Sequence, residues 1–285
     1  WITMSNYVKN IAMGNESLEF IDKRIKDDNY RGNVSSQHNR YTMYDFIEIL
    51  RLLNKYAPEE SLMAIRTTDI KKRPENTEEE RQYAMFCDEA KAAVGKGTQD
   101  AMRKNLFLDM HRMGLINRYG RQKTPTNPFG KQRVKYVSLT DFGLRFIEET
   151  NILNQYYKWS KAIDQLLGGF INVVLNILDN NDADINKINI HEFMFFVSAI
   201  GTNSSFNLTL QKCIELIKKY RNLSIIQRRS VAETLTTKLQ PEKFGGDKTS
   251  KRDFHNWKNK SQQIFYLLDQ TVYFEARDEN LFLKT

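Results

Sequence analysis

The sequence predicts a mainly α-helical protein with short β-hairpins, an α+β fold built from tandem winged-helix or helix-turn-helix units. Apolar residues recur at spacings of three and four over most of the 285 residues, and two pairs of short apolar strands each follow a helix. The length and a hydrophobic content of 40% suit two globular domains. We place a winged-helix DNA-binding unit with N-terminal helices at 1–150. A helical segment ending in a second winged-helix-like unit follows at 151–285.

Two amphipathic helices are predicted near the start of the chain. They span Asn15–Tyr30 and Tyr41–Tyr56, where the apolar residues fall on one helical face. The stretch Lys71–Arg81, "KKRPENTEEER", is polar and contains one proline, which is typical of a loop. We expect this loop to lead into a further helix that continues to about Val94.

A helix, a hairpin and another helix are predicted next. Thr98 is a suitable N-cap for "QDAMRKNLFLDMHRM", and Gly114 stands where a helix end needs a left-handed residue. Strands at Leu115–Tyr119 and Val134–Leu139 enclose a long basic loop, and Thr140 opens the next helix. The expected apolar face of the helix before the hairpin consists of Met102, Leu106, Leu108, Met110 and Met113. This order is that of a winged helix, whose recognition helix precedes the first strand of the wing.

The second half of the chain repeats the arrangement. Several apolar helical segments follow Thr150, and a helix at Arg252–Leu268 then leads to the strand "TVYFEA", the turn "RDEN" and the strand "LFLK". We therefore expect a second helix followed by a two-stranded wing.

The charge distribution points to a polyanionic partner. The formal net charge is +8, and the segment Lys96–Lys135 alone contains ten basic and two acidic residues. Such an excess favours nucleic acid or an acidic membrane surface. No apolar run reaches the roughly 18 residues that span a bilayer, and the N-terminus lacks the layout of a signal peptide. We therefore favour double-stranded DNA and expect no membrane association.

Three groups of residues are the candidates for DNA contact. Those at the start of the presumed recognition helix are expected to reach base edges in the major groove, and those of the wing to contact phosphates or the minor groove. The ordinary alternative is a solvated helix face and a solvated loop. The helix group is Lys96, Thr98, Gln99, Arg103 and Lys104; the wing group is Arg121, Lys123, Lys131 and Arg133; a group beside the second wing is Arg228, Arg229, Lys248, Lys251 and Arg252.

Metal and disulfide sites are not predicted. The two cysteines, Cys87 and Cys213, are far apart, which fits a reducing cytosol better than a disulfide framework or a zinc site. The segment "DNNDADINKINIHEF" superficially resembles a calcium loop, but it lacks two of the side-chain ligands and the central glycine. We expect instead that Asn189 caps a helix and that Glu192 completes a capping box.

Catalytic motifs are likewise not predicted. Pro74-Glu75 and Glu89-Ala90-Lys91 spell the carboxylates and lysine of a magnesium nuclease, but the second group lies in a segment with helical spacing rather than on a strand. We interpret the match as chance. No nucleophile elbow, P-loop or dinucleotide fingerprint occurs. Of the four scattered histidines, His111 is expected at the surface or at a phosphate.

The order of these elements resembles a known family. The winged-helix unit, the segments "HEFMFFVSAIG" and "LTLQKCIELIKKYRN", and the final "IFYLLDQTVYFEARDENLFLKT" are similar to the DNA-recognition half of type IIS restriction and nicking endonucleases of the AlwI-like group. The resemblance covers most of Val94–Thr285. It implies a bacterial cytoplasmic protein that reads an asymmetric DNA site, and a separate magnesium-dependent nuclease domain that cuts a few bases away.

The resemblance implies no catalytic residue in this chain. The chain begins with Trp1 and stops after a strand-like segment, so we expect it to be part of a longer protein. Mg²⁺ would then belong to the parent nuclease. The nuclease domain would lie either in the same polypeptide or in a separate catalytic subunit.

Two other functions are compatible with the sequence. A winged-helix transcription regulator or plasmid replication initiator would bind DNA without cutting it, and a palindromic or iterated site would identify it. An interaction scaffold would have no DNA role, and replacing Arg103 and Lys104 by alanine would leave its DNA affinity unchanged.

Overall fold

The computed structural model describes residues 15–26, 41–59, 61–66, 77–130, 132–179, 185–200, 208–238 and 254–284. They form a mainly helical structure with two small antiparallel sheets, which confirms the predicted mainly helical α+β class. They fall into two compact units. The first unit comprises the described residues of Ser36–Gly169 and Gln270–Val272; the second comprises those of Trp1–Ser35, Phe170–Asp269 and Tyr273–Thr285. The domain boundary at residue 150 stays a prediction.

The helices and strands follow the predicted order closely. The helices are α1 (Glu16–Lys26), α2 (Met43–Tyr56), α3 (Glu78–Val94), α4 (Gln99–Ala101, Met102–Leu106 and Phe107–Arg112), α5 (Asp141–Ile147), α6 (Ile152–Leu166), α7 (Phe170–Leu178), α8 (Ile190–Phe195), α9 (Leu210–Arg221), α10 (Ile225–Lys238) and α11 (Phe254–Asp269). The strands are β1 (Met63–Ala64), β2 (Ile116–Tyr119), β3 (Tyr136–Leu139), β4 (Ile188–Asn189), β5 (Phe274–Arg277) and β6 (Asn280–Leu283). A short 3₁₀ turn, Val197–Ala199, follows α8.

The sheet of the first unit has the strand order β1-β3-β2, and all pairs are antiparallel. Tyr119 lies opposite Tyr136 at the loop end of the β2–β3 hairpin. Helices cover this sheet through an aromatic core, in which the Trp159 ring lies 4.9 Å from the Phe46 ring and 5.9 Å from the Phe146 ring. The core thus holds α2, α5 and α6 together.

Threonine caps begin the helices around the hairpin. The Thr98 side chain accepts a hydrogen bond from the Ala101 N–H, and the Thr140 side chain accepts one from the Gly143 N–H. Each cap satisfies a backbone donor that would otherwise lack a partner at a helix start. Gly114 has φ of 72°, so it ends α4 in the left-handed conformation expected of it. The predicted caps are confirmed.

Helix α4 is not a continuous α-helix. Residues Met102–Leu106 form a π-helical turn, in which the Phe107 N–H donates to the Met102 carbonyl oxygen. A π-turn contains one residue more than an α-turn, which changes the side chains that face the core downstream. Phe107 is consequently fully buried, whereas Leu108, which we expected on the apolar face, is only half-buried.

The sheet of the second unit has the strand order β4-β6-β5 and is also antiparallel. The β5–β6 turn holds Asp278 and Glu279 at positive φ, as tight hairpin turns require. The hairpin predicted from "VYFEARDENLFLKT" is therefore present. Asn189 and Glu192 form the predicted capping box of α8.

A buried arginine organises the core of the second unit. Arg24 on α1 donates hydrogen bonds to the carbonyl oxygens of Met194 and Phe195, at 2.7 and 2.6 Å. Its guanidinium lies 5.3 Å from the centre of the Trp257 ring. Burial lowers the pKa of Arg24 to about 9. The arginine therefore satisfies carbonyl groups at the end of α8 that would otherwise lack partners.

Within the described residues, no individual helix combines the length and the apolar composition that crossing a membrane requires; only α6 and α7 reach them jointly, as a pair bent by 104°. The apolar side chains of α7 belong to the core, since Phe170, Val174 and Ile177 are buried.

Candidate nucleic-acid interface

The long loop between β2 and β3 is held in a defined conformation. The Thr126 N–H donates to the Arg118 carbonyl, and the Lys135 N–H donates to the Tyr119 carbonyl, both at 2.8 Å. Lys123 stands at a left-handed position with φ of 59°, and its ammonium lies 5.6 Å from the Tyr136 ring centre. The loop thus presents its cations from a bonded framework.

The loop also contacts the end of α4. Arg112 Nε donates to the Pro128 carbonyl oxygen at 3.4 Å, and its guanidinium lies 5.5 Å from the ring centre of Phe129. Phe129 itself is 63% exposed. The hairpin and the helix before it therefore form one continuous surface.

A cationic cleft opens beside this hairpin. We define it by the side chains of Arg66, Arg121, Arg133 and Lys135, which line a cavity of about 350 Å³ together with one acid, Glu79. Burial lowers the pKa of the Lys135 ammonium, and nearby arginines lower it further. Those arginines are Arg133, Arg66, Arg103 and Arg121, in order of decreasing effect. The part that the arginines contribute reflects positive charges close together, and such a cluster favours a bound anion.

The cleft joins predicted and unpredicted residues. Arg121 and Arg133 were predicted from the basic loop, whereas Arg66 and Lys135 were not singled out as site residues. Arg66 comes directly after Ile65, whose N–H donates to the Lys135 carbonyl at 2.9 Å. Because 69 residues separate these partners along the chain, no local motif could have indicated the contact. Arg66 is partly compensated by Glu79 and Glu80, at 3.5 and 3.4 Å.

The basic residues of α4 share one exposed acid. Asp100 accepts from Arg103 at 3.0 Å and from Lys104 at 2.7 Å, and these bonds, Lys104 first, lower its pKa. Exposed ion pairs of this kind contribute about 0–1 kcal/mol. A phosphate or a base edge can therefore replace Asp100 as the partner of either cation at small cost.

Two other helix candidates have structural contacts of their own. Lys96 forms an ion pair with Asp45 at 3.0 Å, and its ammonium lies 4.8 Å from the Tyr41 ring centre. The Gln99 carbonyl oxygen accepts from the Tyr83 hydroxyl at 2.7 Å. Lys96 thus ties the start of α4 to α2, and its role in DNA contact stays a prediction, as does that of Thr98 and Gln99.

Arg118 on β2 adds a partly buried positive charge close to Arg103 and Arg112 of α4. Burial, followed by the charges of Arg112 and Arg103, lowers the pKa of Arg118 to about 10. His111 is buried with 6% exposure, so the expectation of a surface histidine was wrong. Its pKa is lowered to about 4, first by burial and then by Arg118 and Arg112. The π-turn explains the difference, because it changes which side chains of α4 face the core.

A second cavity lies in the second unit. It has a volume of about 660 Å³, and its lining includes Arg228 and Arg229 of α10, both predicted as DNA contacts. The remaining predicted contacts, Lys131, Lys248, Lys251 and Arg252, lie outside the described residues.

The residues that the structure describes contain no group of three or more histidine, cysteine or acidic side chains suited to a metal ion. The donors needed for a magnesium or zinc site are therefore not assembled in this part of the chain. Glu89 lies on α3 rather than on a strand, and it accepts hydrogen bonds from Lys55 and Tyr56. Pro74 and Glu75 lie outside the described residues, as do positions 180–184 of the calcium-like segment.

Part of the chain matches the model of a protein family. Residues 42–150 match the model of the type IIS restriction enzyme MboII middle domain. These residues contain the cationic cleft, α4 and the β2–β3 hairpin. The match supports a restriction-enzyme context for these residues. It does not favour the alternative of a non-catalytic regulator or initiator.

The comparisons with curated proteins and with solved structures found no match.

Proposed function

We propose that this chain is the part of a type IIS restriction or nicking endonuclease that recognises a specific sequence in double-stranded DNA. The observation that carries the proposal is the cationic cleft beside the β2–β3 hairpin, within the residues that match a restriction-enzyme family. A groove lined by four cations and one acid favours a polyanion. Membership of the AlwI-like group is the narrower form of the proposal.

The topology supports the interpretation of the first unit as a winged helix. The elements follow in the order α2-β1-α3-α4-β2-β3, and the strand order is β1-β3-β2. In that interpretation α4 is the recognition helix and the β2–β3 hairpin is the wing. The strand order β4-β6-β5 and the pair α11 and β5–β6 support a second unit of the same kind.

The two parts of the surface are proposed to act differently. Arg66, Arg121 and Arg133, with Lys123 and Lys135, hold the DNA through its phosphates. The start of α4, led by Arg103, reads base edges in the major groove, where arginine pairs with guanine. Arg103 needs only to leave the exposed Asp100 to do so.

Cleavage itself is assigned to another part of the parent protein. On this proposal, a magnesium-dependent nuclease domain of the same polypeptide, or a separate catalytic subunit, cuts the DNA in a bacterial cytoplasm. The described residues do not fit a metal ion, so no catalytic step is placed on them.

The division of roles is tested with two single substitutions. The preferred sequence is first selected from a randomised duplex library, and affinities are then measured for that duplex and a random one. We expect Arg103→Ala to cost about 1–3 kcal/mol on the selected duplex and to relax one base position. Lys123→Ala should weaken both duplexes alike, because a phosphate contact carries no sequence information.

Arg51→Ala serves as the control, since Arg51 is an exposed cation of α2 that pairs with Glu48. It should change neither affinity. Equal losses on both duplexes for Arg103→Ala and Lys123→Ala would refute the division of roles. Failure to select any sequence would refute recognition, and a palindromic selected site would favour the regulator.

A further inference from the structure

We infer that the cavity of the second unit is a nucleotide pocket, which takes a phosphate through Arg228, Arg229 and the Tyr220 hydroxyl and packs the attached ring against an apolar wall. The cavity lies outside the residues 42–150 that match the family model. Its volume of about 660 Å³ is in the range of small-molecule sites.

Two buried polar atoms of lining residues lack a partner among the described residues. They are the Tyr220 hydroxyl oxygen and Arg228 Nε. Tyr220 is only 2% exposed, so its hydroxyl is removed from bulk water. Leaving a buried donor unsatisfied is unfavourable, and such atoms in a native protein call for an explanation. We infer that an acceptor bound in the cavity satisfies them.

The charges of the pocket select an anion. Within the described part of the chain, neither Arg228 nor Arg229 forms an ion pair with a carboxylate. The nearby acid Glu192 is already engaged, since it accepts from Arg221 at 2.8 and 2.9 Å and from the Asn189 N–H. Lys258 is likewise paired with Glu279, at 2.6 Å. Two guanidinium groups therefore face a single uncommitted acid in the lining, the exposed Glu233.

The start of α10 fixes the backbone that carries the two arginines. The Ser224 hydroxyl accepts from the Gln227 N–H, and the Gln227 side chain accepts from the Ser224 N–H. This reciprocal pair fixes the first turn of the helix, as a capping box does. Arg228 and Arg229 follow immediately, so their backbone positions are defined before a ligand binds.

The rest of the lining suits an organic ring rather than an inorganic ion alone. Phe254 and the His191 ring lie 6.2 Å apart, and Ile225 completes an apolar wall although it is 70% exposed. Aromatic and aliphatic groups of this kind stack on bases, while arginine binds phosphate. The shared chemistry is a nucleoside monophosphate unit, supplied either as a free nucleotide or as a nucleotide turned out of a DNA strand.

The first experiment measures binding of dAMP, deoxyadenosine and inorganic phosphate to the full chain by calorimetry. We expect dAMP to bind at least about tenfold more tightly than either fragment, because only dAMP fills both halves of the pocket. The second uses a duplex with one 2-aminopurine, whose fluorescence rises when the base leaves the stack. A rise that depends on Tyr220 identifies DNA as the source of the nucleotide.

Tyr220→Phe is the decisive variant, because it removes only the unpartnered hydroxyl. It should lower the affinity for dAMP, or the fluorescence rise with the duplex, by about tenfold. The thermal stability of the protein should be unchanged or higher. Arg228→Gln should weaken binding similarly. Lys218→Gln is the matched control, since Lys218 is exposed on α9 and is absent from the lining.

The inference is overturned if neither dAMP nor the duplex responds, if phosphate alone binds as well as dAMP, or if Lys218→Gln has the same effect as Tyr220→Phe. These outcomes leave the proposed role of the first unit intact, because Arg103, Lys123 and the cationic cleft lie outside this pocket.

Discussion

At the scale of single residues, burial changes the acid–base chemistry of His111. The side chain lies on a helix rich in cations, yet it is buried beside Arg118 and Arg112. Desolvation and these two positive charges all disfavour the protonated imidazole, which is why its pKa falls to about 4. His111 is therefore a neutral core residue at physiological pH.

This burial predicts a pH dependence of stability. An unfolded imidazole has a pKa of about 6.5, so below that pH the unfolded state takes up a proton that the folded state resists. Stability should be full above pH 6.5 and fall as the pH approaches 4, by about 3 kcal/mol at that point. Urea unfolding at several pH values measures this loss.

His111→Gln is expected to remove this part of the dependence. The pKa of His191 is also lowered, by burial and by Lys258, but His191 is present in both proteins and cancels in the comparison. If the free energies of unfolding of the wild type and of His111→Gln fell in parallel between pH 7 and 4, the assignment of this loss to His111 would be contradicted.

At the scale of the elements, the close contact of α5 with the end of α4 positions the hairpin. The Thr140 hydroxyl donates to the Gly114 carbonyl at 2.7 Å and accepts from the Gly143 N–H at 2.9 Å. A Cβ on Gly143 would lie 2.1 Å from the Leu115 carbonyl oxygen. Gly143 therefore permits an approach that no other residue allows.

Gly143→Ala should consequently destabilise the protein. At a solvent-exposed helix position the same change stabilises the protein by up to about 1 kcal/mol, because alanine has a higher helix propensity than glycine. Here the methyl group meets a backbone carbonyl, and we expect a loss of about 1–3 kcal/mol in the free energy of unfolding. Chemical denaturation measures it.

Arg145 is exposed on the same helix and serves as the control. Arg145→Ala should change the free energy of unfolding by no more than about 0.5 kcal/mol. If Gly143→Ala proved more stable than the wild type, the close contact between α5 and Leu115 would be wrong.

At the scale of the whole molecule, the distribution of charge matters more than its total. The net charge of +8 equals the excess of basic over acidic residues in Lys96–Lys135. The structure assembles part of that segment, Arg121, Arg133 and Lys135, with the distant Arg66 around one cavity. The resulting field should attract DNA and make its binding sensitive to salt.

If six to ten phosphates are contacted, affinity should fall by roughly 10³–10⁵ between 50 and 200 mM salt. Arg121→Gln combined with Arg133→Gln should reduce the slope of log affinity against log salt by about two units, one for each lost phosphate contact. Arg51→Gln should leave the slope unchanged. A wild-type slope near zero would contradict the electrostatic part of the proposed function.

Local signals in the sequence predicted the elements well. Helical periodicity, the threonine caps at Thr98 and Thr140, and the left-handed Gly114 all depend on residues within a few positions of one another. The β5–β6 hairpin was predicted for the same reason. The mainly helical fold class and the basic loop therefore follow from short-range patterns in the amino-acid sequence alone.

The tertiary structure alone decided which residues meet. Arg66 joins the cationic cleft through a strand pairing with the far side of the hairpin, and Tyr220 meets Arg228 in a pocket that also takes residues from α8 and α11. The π-turn in α4 and the burial of His111 belong to the same class of feature, because core packing can override local helical preference. Composition and short-range pattern specify the elements and the sign of their charge, whereas a binding site depends on contacts between residues far apart in the chain.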